Sequence, residues 1–382
     1  MIDRTNPCAS QSLLGLFPNW DDSGGVQYSG KIAWEGIACS KSRLSDSQIG
    51  NLYLFRYGKY KQNGNGTFSE CEKTCRPPTA DFTDLMFESK FAAILAATRW
   101  RPRIQTILIW HLALLRLLPF FRLQDARIVV FLHGIEAWRR QDWLTRKLFR
   151  HVDLFLSNSD YTWSRFVSTH PEVANIAHRS LHLGIGAPSK AAIPSPVCPP
   201  AVLMISRLLR SEDYKGHRTL IAAWPLVLKR IPDAELWIAG EGDLRTDLEI
   251  TAKDLGLANR VRFWGKVSED EKGALLTRCR CLALPSRAEG FGLVYLEAMR
   301  MGRPCLVSTT DAGREVVNPP QAGLAANPDD PQELAESVCR LLSDGAEWEL
   351  WSTQARRRYE EYFTAEHFQE RLITALSSFC EG

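Results

Sequence analysis

Two stretches in the C-terminal half carry residue types whose spacing suits chemistry on a phosphorylated sugar. In PSRAEGFGLVYLEAMRMGRPC (285–305) an apolar run ends in Pro-Ser, and the turn AEGFG precedes the helical pattern LVYLEAMR. That pattern stops at Gly302, with Pro304 beyond, an ordinary helix C-terminus. Gly290 and Gly292 let backbone approach a ligand closely. Free amides where the helix starts attract anions, phosphate above all. Glu297 lies inside that helix, where its carboxylate could accept hydrogen bonds from two vicinal sugar hydroxyls. Glu289 precedes the helix and could reach hydroxyls on the far side of the phosphates. One turn could thus hold ribose, diphosphate and hexose in sequence. The plain alternative for Glu297 is a solvent-facing residue on an amphipathic helix.

The second stretch is MISRLLRSEDYKGHRTLI (204–221). A strand ends in Ser206-Arg207, and Lys215-Gly216 comes just before a helix. Two cations beside a helix start suit a diphosphate leaving group, and arginine binds one bidentately. Read singly, both are solvated surface charges. In the N-terminal half, Gly24-Gly25 opens the first helix, but the spacing is not that of a dinucleotide fingerprint, and a tight turn serves equally. The run RIVVFLHGIEAW places His133 and Gly134 at a strand's carboxyl end with Glu136 nearby. A histidine there suits a bound sugar, or a satisfied core position. His111 ends the preceding strand as a weaker candidate.

These residues need elements to position them. From Ala201 onward, AVLMIS (201–206), AELWIAG (234–240), VRFWG (261–265), CLALPS (281–286) and PCLVST (304–309) read as buried strands alternating with helical patterns. That alternation argues for a parallel, doubly wound sheet. The N-terminal half repeats it, with strands expected at 12–17, 51–57, 103–110, 127–133 and 153–159, and helices at 26–38, 83–99, 140–150 and 160–169. Residues 57–81, rich in Gly, Asn, Lys and Pro, read as a mobile surface excursion. GAPSKAAIPSPVCPP (186–200), with five prolines, reads as an extended linker. The expected architecture is an α/β chain of two Rossmann-like domains, residues 1–185 and 201–363, with ligand in the cleft between them.

Bulk properties exclude several classes. The chain has 382 residues, 45% hydrophobic and 24% charged, as in an ordinary globular protein too long for one core. The apolar window 104–121 contains His111, Arg116 and Pro119 and reads as a buried strand and helix rather than a membrane span. MIDRTNPCAS lacks the apolar region of a signal peptide, and no paired cysteine framework supports zinc, so a cytoplasmic location with free thiols is expected. No Asp-x-Asp occurs, so a metal-bridged nucleotide-sugar site lacks its usual ligands; there is no P-loop or G-x-S-x-G, and no basic run with aromatics suggests nucleic acid. Residues 1–200 carry 24 Lys+Arg against 16 Asp+Glu, the remainder 23 against 28. The basic half could face anionic lipid or a phosphorylated acceptor, or simply be solvated.

EGFGLVYLE resembles the E-x7-E motif of retaining, GT-B-fold glycosyltransferases of family 4. SGGVQ, FLHGIE, SNSDYTWSRF, SRLLRSEDYKG, IAGEGDLRTDLE, FWGKVSEDE and STTDAGREVV resemble the family's other stretches, in its order, closely over 201–345 and less so over 1–185. The resemblance implies no cofactor, a UDP- or GDP-sugar donor, and a saccharide or lipid-linked acceptor. It also implies roles for particular residues. Gly24 and Gly25 would approach the diphosphate or sugar; His133 would bind the hexose; Arg207 and Lys215 would neutralise the leaving diphosphate. Glu289 and the backbone of Gly290, Phe291, Gly292 and Leu293 would hold hexose and phosphates; Glu297 would bind the ribose; Val267 would meet the base. Residues 364–382 would form a helix crossing back to the N-terminal domain. A nucleotide-sugar 2-epimerase and a non-catalytic sugar-binding protein of the same fold are the alternatives.

Overall fold

The computed structural model describes residues 11–20, 24–43, 49–58, 82–122, 125–189 and 191–380. By internal contact the chain divides into two compact units, Met1–Leu183 with Ala365–Gly382, and Gly184–Thr364.

In the first unit seven strands form one parallel sheet: β1 (Gln11–Pro18), β2 (Ile49–Tyr57), β3 (Phe82–Phe87), β4 (Thr106–Ile109), β5 (Arg127–Leu132), β6 (Leu154–Ser157) and β7 (Ala177–Ser180), in the order β3-β2-β1-β4-β5-β6-β7. The helices are α1 (Gly25–Arg43), α2 (Lys90–Arg99), α3 (Ile135–Trp138), α4 (Trp143–Phe149) and α5 (Asp160–Thr169). The C-terminal helix Ala365–Cys380 packs on α1, where the Gln369 amide donates to the Ile32 carbonyl at 3.0 Å.

In the second unit six parallel strands, β8 (Ala201–Ile205), β9 (Glu235–Ala239), β10 (Val261–Gly265), β11 (Cys281–Leu284), β12 (Cys305–Ser308) and β13 (Gly323–Ala326), run in the order β10-β9-β8-β11-β12-β13. Between and after them come α6 (His217–Arg230), α7 (Arg245–Asp254), α8 (Glu269–Arg278), α9 (Leu293–Arg300), α10 (Gly313–Val317), α11 (Pro331–Leu342) and α12 (Ala346–Tyr362). Strands β9, β11 and β12 are buried along their whole length. Helices cover both faces of such a sheet, so its strands read as unbroken apolar runs. In each sheet the strand order reverses, between β1 and β4 and between β8 and β11. There successive connections depart in opposite directions and leave a crevice at the strands' carboxyl ends.

Several local expectations change. The single helix expected at 83–99 is an edge strand, β3, followed by α2; Ser89 breaks them, its hydroxyl accepting from the Ala92 amide. The helix expected at 140–150 begins at Trp143, because Asp142 caps the amides of Leu144 and Thr145. The strand expected at 103–110 is confined to Thr106–Ile109, and Leu112–Phe120 is a 3-10 helix. Strands β7 and β13 escape the sequence reading, since AHRS and GLAA are too short to show a period. The expected excursion at 57–81 lies, from residue 59, outside the described residues. No helix among the described residues is long and apolar enough to cross a membrane. Cys39, Cys198, Cys279, Cys281, Cys305 and Cys339 are free thiols.

Candidate active site

The second unit gathers its chemistry at the β8/β11 reversal. Arg207 follows β8, and a 3-10 turn, Arg210–Lys215, carries the chain to Gly216 and α6. Gly216 has left-handed backbone (φ +89°), and a Cβ there would lie 2.4 Å from the Pro285 carbonyl oxygen. Only glycine lets the Lys215 turn settle against the turn after β11. The amide of Arg287 then donates to the Tyr214 carbonyl at 2.9 Å, joining the two turns. Between the cations sits a residue the sequence reading passed over. Glu212, largely buried, hydrogen-bonds Arg207 through Oε1, and its Oε2 lies 3.4 Å from Lys215 Nζ. The Lys215 side chain is only 17% exposed, whereas that of Arg207 is 65% exposed.

Beyond β11, Glu289 is half-buried and Gly290 and Phe291 are buried, the Phe291 ring meeting Phe363 edge-on at 6.1 Å. Gly292 starts α9 in left-handed backbone (φ +88°) with no side chain capping the helix. The amide of Leu293 therefore opens the helix without a side-chain partner on Gly292, the arrangement that attracts an anion. A second residue outside the expected set fixes this turn. Buried Asp311 accepts from the amides of Glu289 (3.2 Å) and Gly313 (2.9 Å), and the Ala312 amide donates back to the Glu289 carbonyl at 3.1 Å. Burial, and next the Glu289 charge, push the Asp311 carboxyl up to about 8, against the pull of its two amide donors.

Glu297 lies within α9, and its carboxylate takes a 2.8 Å bond from Lys272 of α8, which also holds Glu269 at 2.7 Å. Burial raises the Glu297 carboxyl above its usual range, with Lys272 opposing. One ammonium leaves a carboxylate with acceptor sites to spare, so Glu297 is oriented rather than saturated. Val267, half-buried, lies in the turn between Gly265 and Ser268, the residue whose capping box with Glu271 starts α8. Arg207, Lys215, Glu289, Gly292, Leu293 and Glu297 thus stand on the turns and helices that follow the carboxyl ends of β8 and β11. No three His, Cys, Asp or Glu among the described residues come together as metal ligands.

In the first unit, His133 follows β5 and is buried against Phe131 and Trp110, ring centroids 4.8 and 5.2 Å away. Its Nε2 lies 2.6 Å from the Trp110 carbonyl. A carbonyl only accepts, so Nε2 carries the proton and Nδ1 is left as an acceptor. The Glu136 carboxylate takes the amides of His133 (2.6 Å) and Gly134 (3.1 Å), which fixes this turn. Trp110 also donates from Nε1 to the Val26 carbonyl at 3.0 Å, so one indole links His133 to the start of α1. Gly24 and Gly25 lie at that start, outside left-handed backbone; a Cβ on Gly24 would meet only the flexible end of Gln27. His111 caps the 3-10 helix, its Nδ1 accepting from the Ala113 amide at 3.1 Å.

Burial pushes His133 down to about 3, with the charge of His111 adding to it, and burial pushes His178 and His217 down to about 4. In the unfolded chain a histidine titrates near 6.5. Between those values the unfolded state binds the extra protons, so stability falls as pH falls below about 6.5, by up to ~1.4 kcal/mol per pH unit for each histidine. Urea denaturation midpoints are expected to drop between pH 7 and pH 5, and His133→Gln should flatten part of that slope. An unchanged slope in the variant would show that His133 is not held neutral.

Two doubly wound parallel-sheet units in one chain are the architecture of the GT-B class. The model of the family described as "Glycosyl transferases group 1" matches residues 199–344. The chain is 30% identical over 290 residues to the GDP-mannose-dependent alpha-(1-6)-phosphatidylinositol monomannoside mannosyltransferase of Mycolicibacterium smegmatis, covering 67% of this chain and 74% of that one. It is 31% identical over 279 residues to glycogen synthase of Mycobacterium tuberculosis, covering 69% and 66%. Among solved structures, sucrose-phosphate synthase from Thermosynechococcus elongatus superimposes with a TM-score of 0.73 at 17% identity, covering 97% and 99%. The protein belongs to the group 1 glycosyl transferases and is a glycosyltransferase enzyme.

Proposed function

We propose that the protein is a retaining, metal-independent hexosyltransferase. It takes the sugar from a nucleoside-diphosphate donor and passes it to a hydroxyl of a saccharide or lipid-linked acceptor, in the building of a surface polysaccharide or glycoconjugate. The observation that carries this reading is the approach of the Lys215 turn to the turn that opens α9, with Gly216 packed on the Pro285 carbonyl. The mannosyltransferase relative, whose name specifies GDP-mannose, makes GDP-mannose the first donor to try.

In this reading the glycosidic bond to the leaving phosphate breaks through an oxocarbenium-like state. Arg207, Lys215 and the α9 amides stabilise the charge that builds on the diphosphate, a contribution of several kcal/mol in comparable oxyanion sites. These cations do the work a metal does elsewhere. Glu297, held by Lys272, takes the ribose hydroxyls, and Glu289, held through Asp311, takes the hexose hydroxyls. Val267 offers backbone to the base. In the first unit Nδ1 of neutral His133 is free to accept a hydrogen bond from a sugar hydroxyl, and Gly24-Gly25 start a helix near the same indole. Retention follows if the departing phosphate oxygen receives the acceptor's proton on the face it leaves.

A thermal-shift panel of GDP-, UDP-, ADP- and dTDP-sugars tests the donor assignment, because a ligand that binds only the native state raises the melting temperature. At least one donor should shift it, with GDP-mannose first; a panel with no shift would contradict the reading. Proton NMR of the product then reads the anomeric configuration, and inversion would contradict retention. The basic first half suits anionic lipid. Flotation with anionic vesicles should be lost in high salt, and no flotation in low salt would remove the membrane contact.

A further inference from the structure

A site proposed to bind a diphosphate contains a largely buried carboxylate, and this calls for a reason. Glu212 contacts both cations assigned to that diphosphate, Arg207 through Oε1 and Lys215 at 3.4 Å through Oε2. Its neighbours are committed elsewhere. Asp213 pairs with Arg218 at 2.9 Å, and Arg210 with Asp247 at 2.7 Å. Among the described residues, then, Glu212 is the acid that forms ion pairs with Arg207 and Lys215. Burying a carboxylate is costly unless cations meet it, and two cations side by side repel without it. The arrangement therefore holds the empty site together at one net positive charge instead of two. It also sets a like charge beside the place where phosphate oxygens would sit.

We propose that Glu212 is a positioning residue that doubles as a counter-anion. It holds Lys215 and Arg207 in register in the empty enzyme, competes with the diphosphate for them, and so loosens the enzyme's grip on the nucleoside-diphosphate product. The two cations differ in freedom. Lys215 is packed and stays beside Glu212, while Arg207, mostly exposed, swings from Glu212 to the phosphate when ligand arrives. The inference rests on the donor reading above and adds to it a residue that works against binding.

Calorimetric titration of GDP, with UDP as a second probe, tests it on wild type, Glu212→Gln and Glu212→Asp, each confirmed folded by its melting curve. Removing the charge with Gln should tighten nucleoside-diphosphate binding about tenfold, the size of one screened like-charge contact. Turnover should fall at the same time, because product leaves slowly. Asp, which keeps the charge, should bind as wild type does. Equal or weaker binding by folded Glu212→Gln would overturn the proposal, as would tightening in Glu212→Asp, since a packing effect would not follow charge. If Gln does not fold, a crystal structure of wild type with GDP gives the same decision. Arg207 should have left Glu212 for the phosphates, and an unbroken Arg207–Glu212 pair would overturn the idea. If wild type itself binds neither nucleotide, it is the donor reading that has failed.

Discussion

Lys215→Ala is expected to lower turnover roughly a hundredfold or more while leaving the fold intact. The ammonium is largely packed and its position is set by Gly216 on one side and Glu212 on the other. A donor fixed in advance where negative charge develops is worth about 100- to 1,000-fold in rate when it is deleted. The side chain lies at the end of a 3-10 turn rather than in the sheet core, so its truncation removes charge without opening a large cavity. Lys215→Arg should restore little, since a planar fork on a longer stem does not place its charge at the same point. Steady-state rates with a saturating donor measure this. Near-normal turnover in Lys215→Ala would reject its phosphate role.

Gly216→Ala should be as damaging by another route. The backbone there is left-handed, which costs a residue with a Cβ roughly 1–2 kcal/mol. The new methyl would also sit 2.4 Å from the backbone oxygen of Pro285, an atom that cannot turn aside as a side-chain tip can. Relief requires the Lys215 turn to part from the turn after β11, the approach on which the proposed site depends. Destabilisation of about 2–4 kcal/mol is expected, with turnover lost even where the variant is still folded. Gly24→Ala is the contrast, because its Cβ would meet only the movable amide of Gln27. Denaturation midpoints and rates for the two variants, measured side by side, check the argument. A Gly216→Ala enzyme with wild-type stability would contradict it.

The sequence showed the strands with unbroken apolar runs, because burial on both sheet faces leaves no alternation to misread. It failed at β7 and β13, whose AHRS and GLAA carry no period, and at β3, where a capping serine divides what reads as one helix. Among the candidate residues, Arg207, Lys215 and Glu289 were visible because they stand where strands end and helices begin, and Glu297 because it lies a turn inside the helix that the glycine turn opens. Their partners were not. Glu212 lies among the charges of RSEDYK, and nothing in that string shows which acid turns inward. Asp311 sits 22 residues after the Glu289 amide it accepts from, and Lys272 sits 25 before Glu297. Such pairings arise from strand order, which brings β11 beside β12, and from helix packing, neither of which a local pattern reveals.

If two linked phosphates are held where β8 and β11 end, Lys215 is among the groups that hold them. Calorimetry of GDP and GMP on wild type and on Lys215→Ala measures this most directly. Each charge-assisted hydrogen bond is worth about 1.5–3 kcal/mol, so wild type should bind GDP at least ~10-fold more tightly than GMP. That difference should largely collapse in Lys215→Ala. A wild-type enzyme that binds the two nucleotides equally, or a variant that keeps the full difference, would contradict the claim.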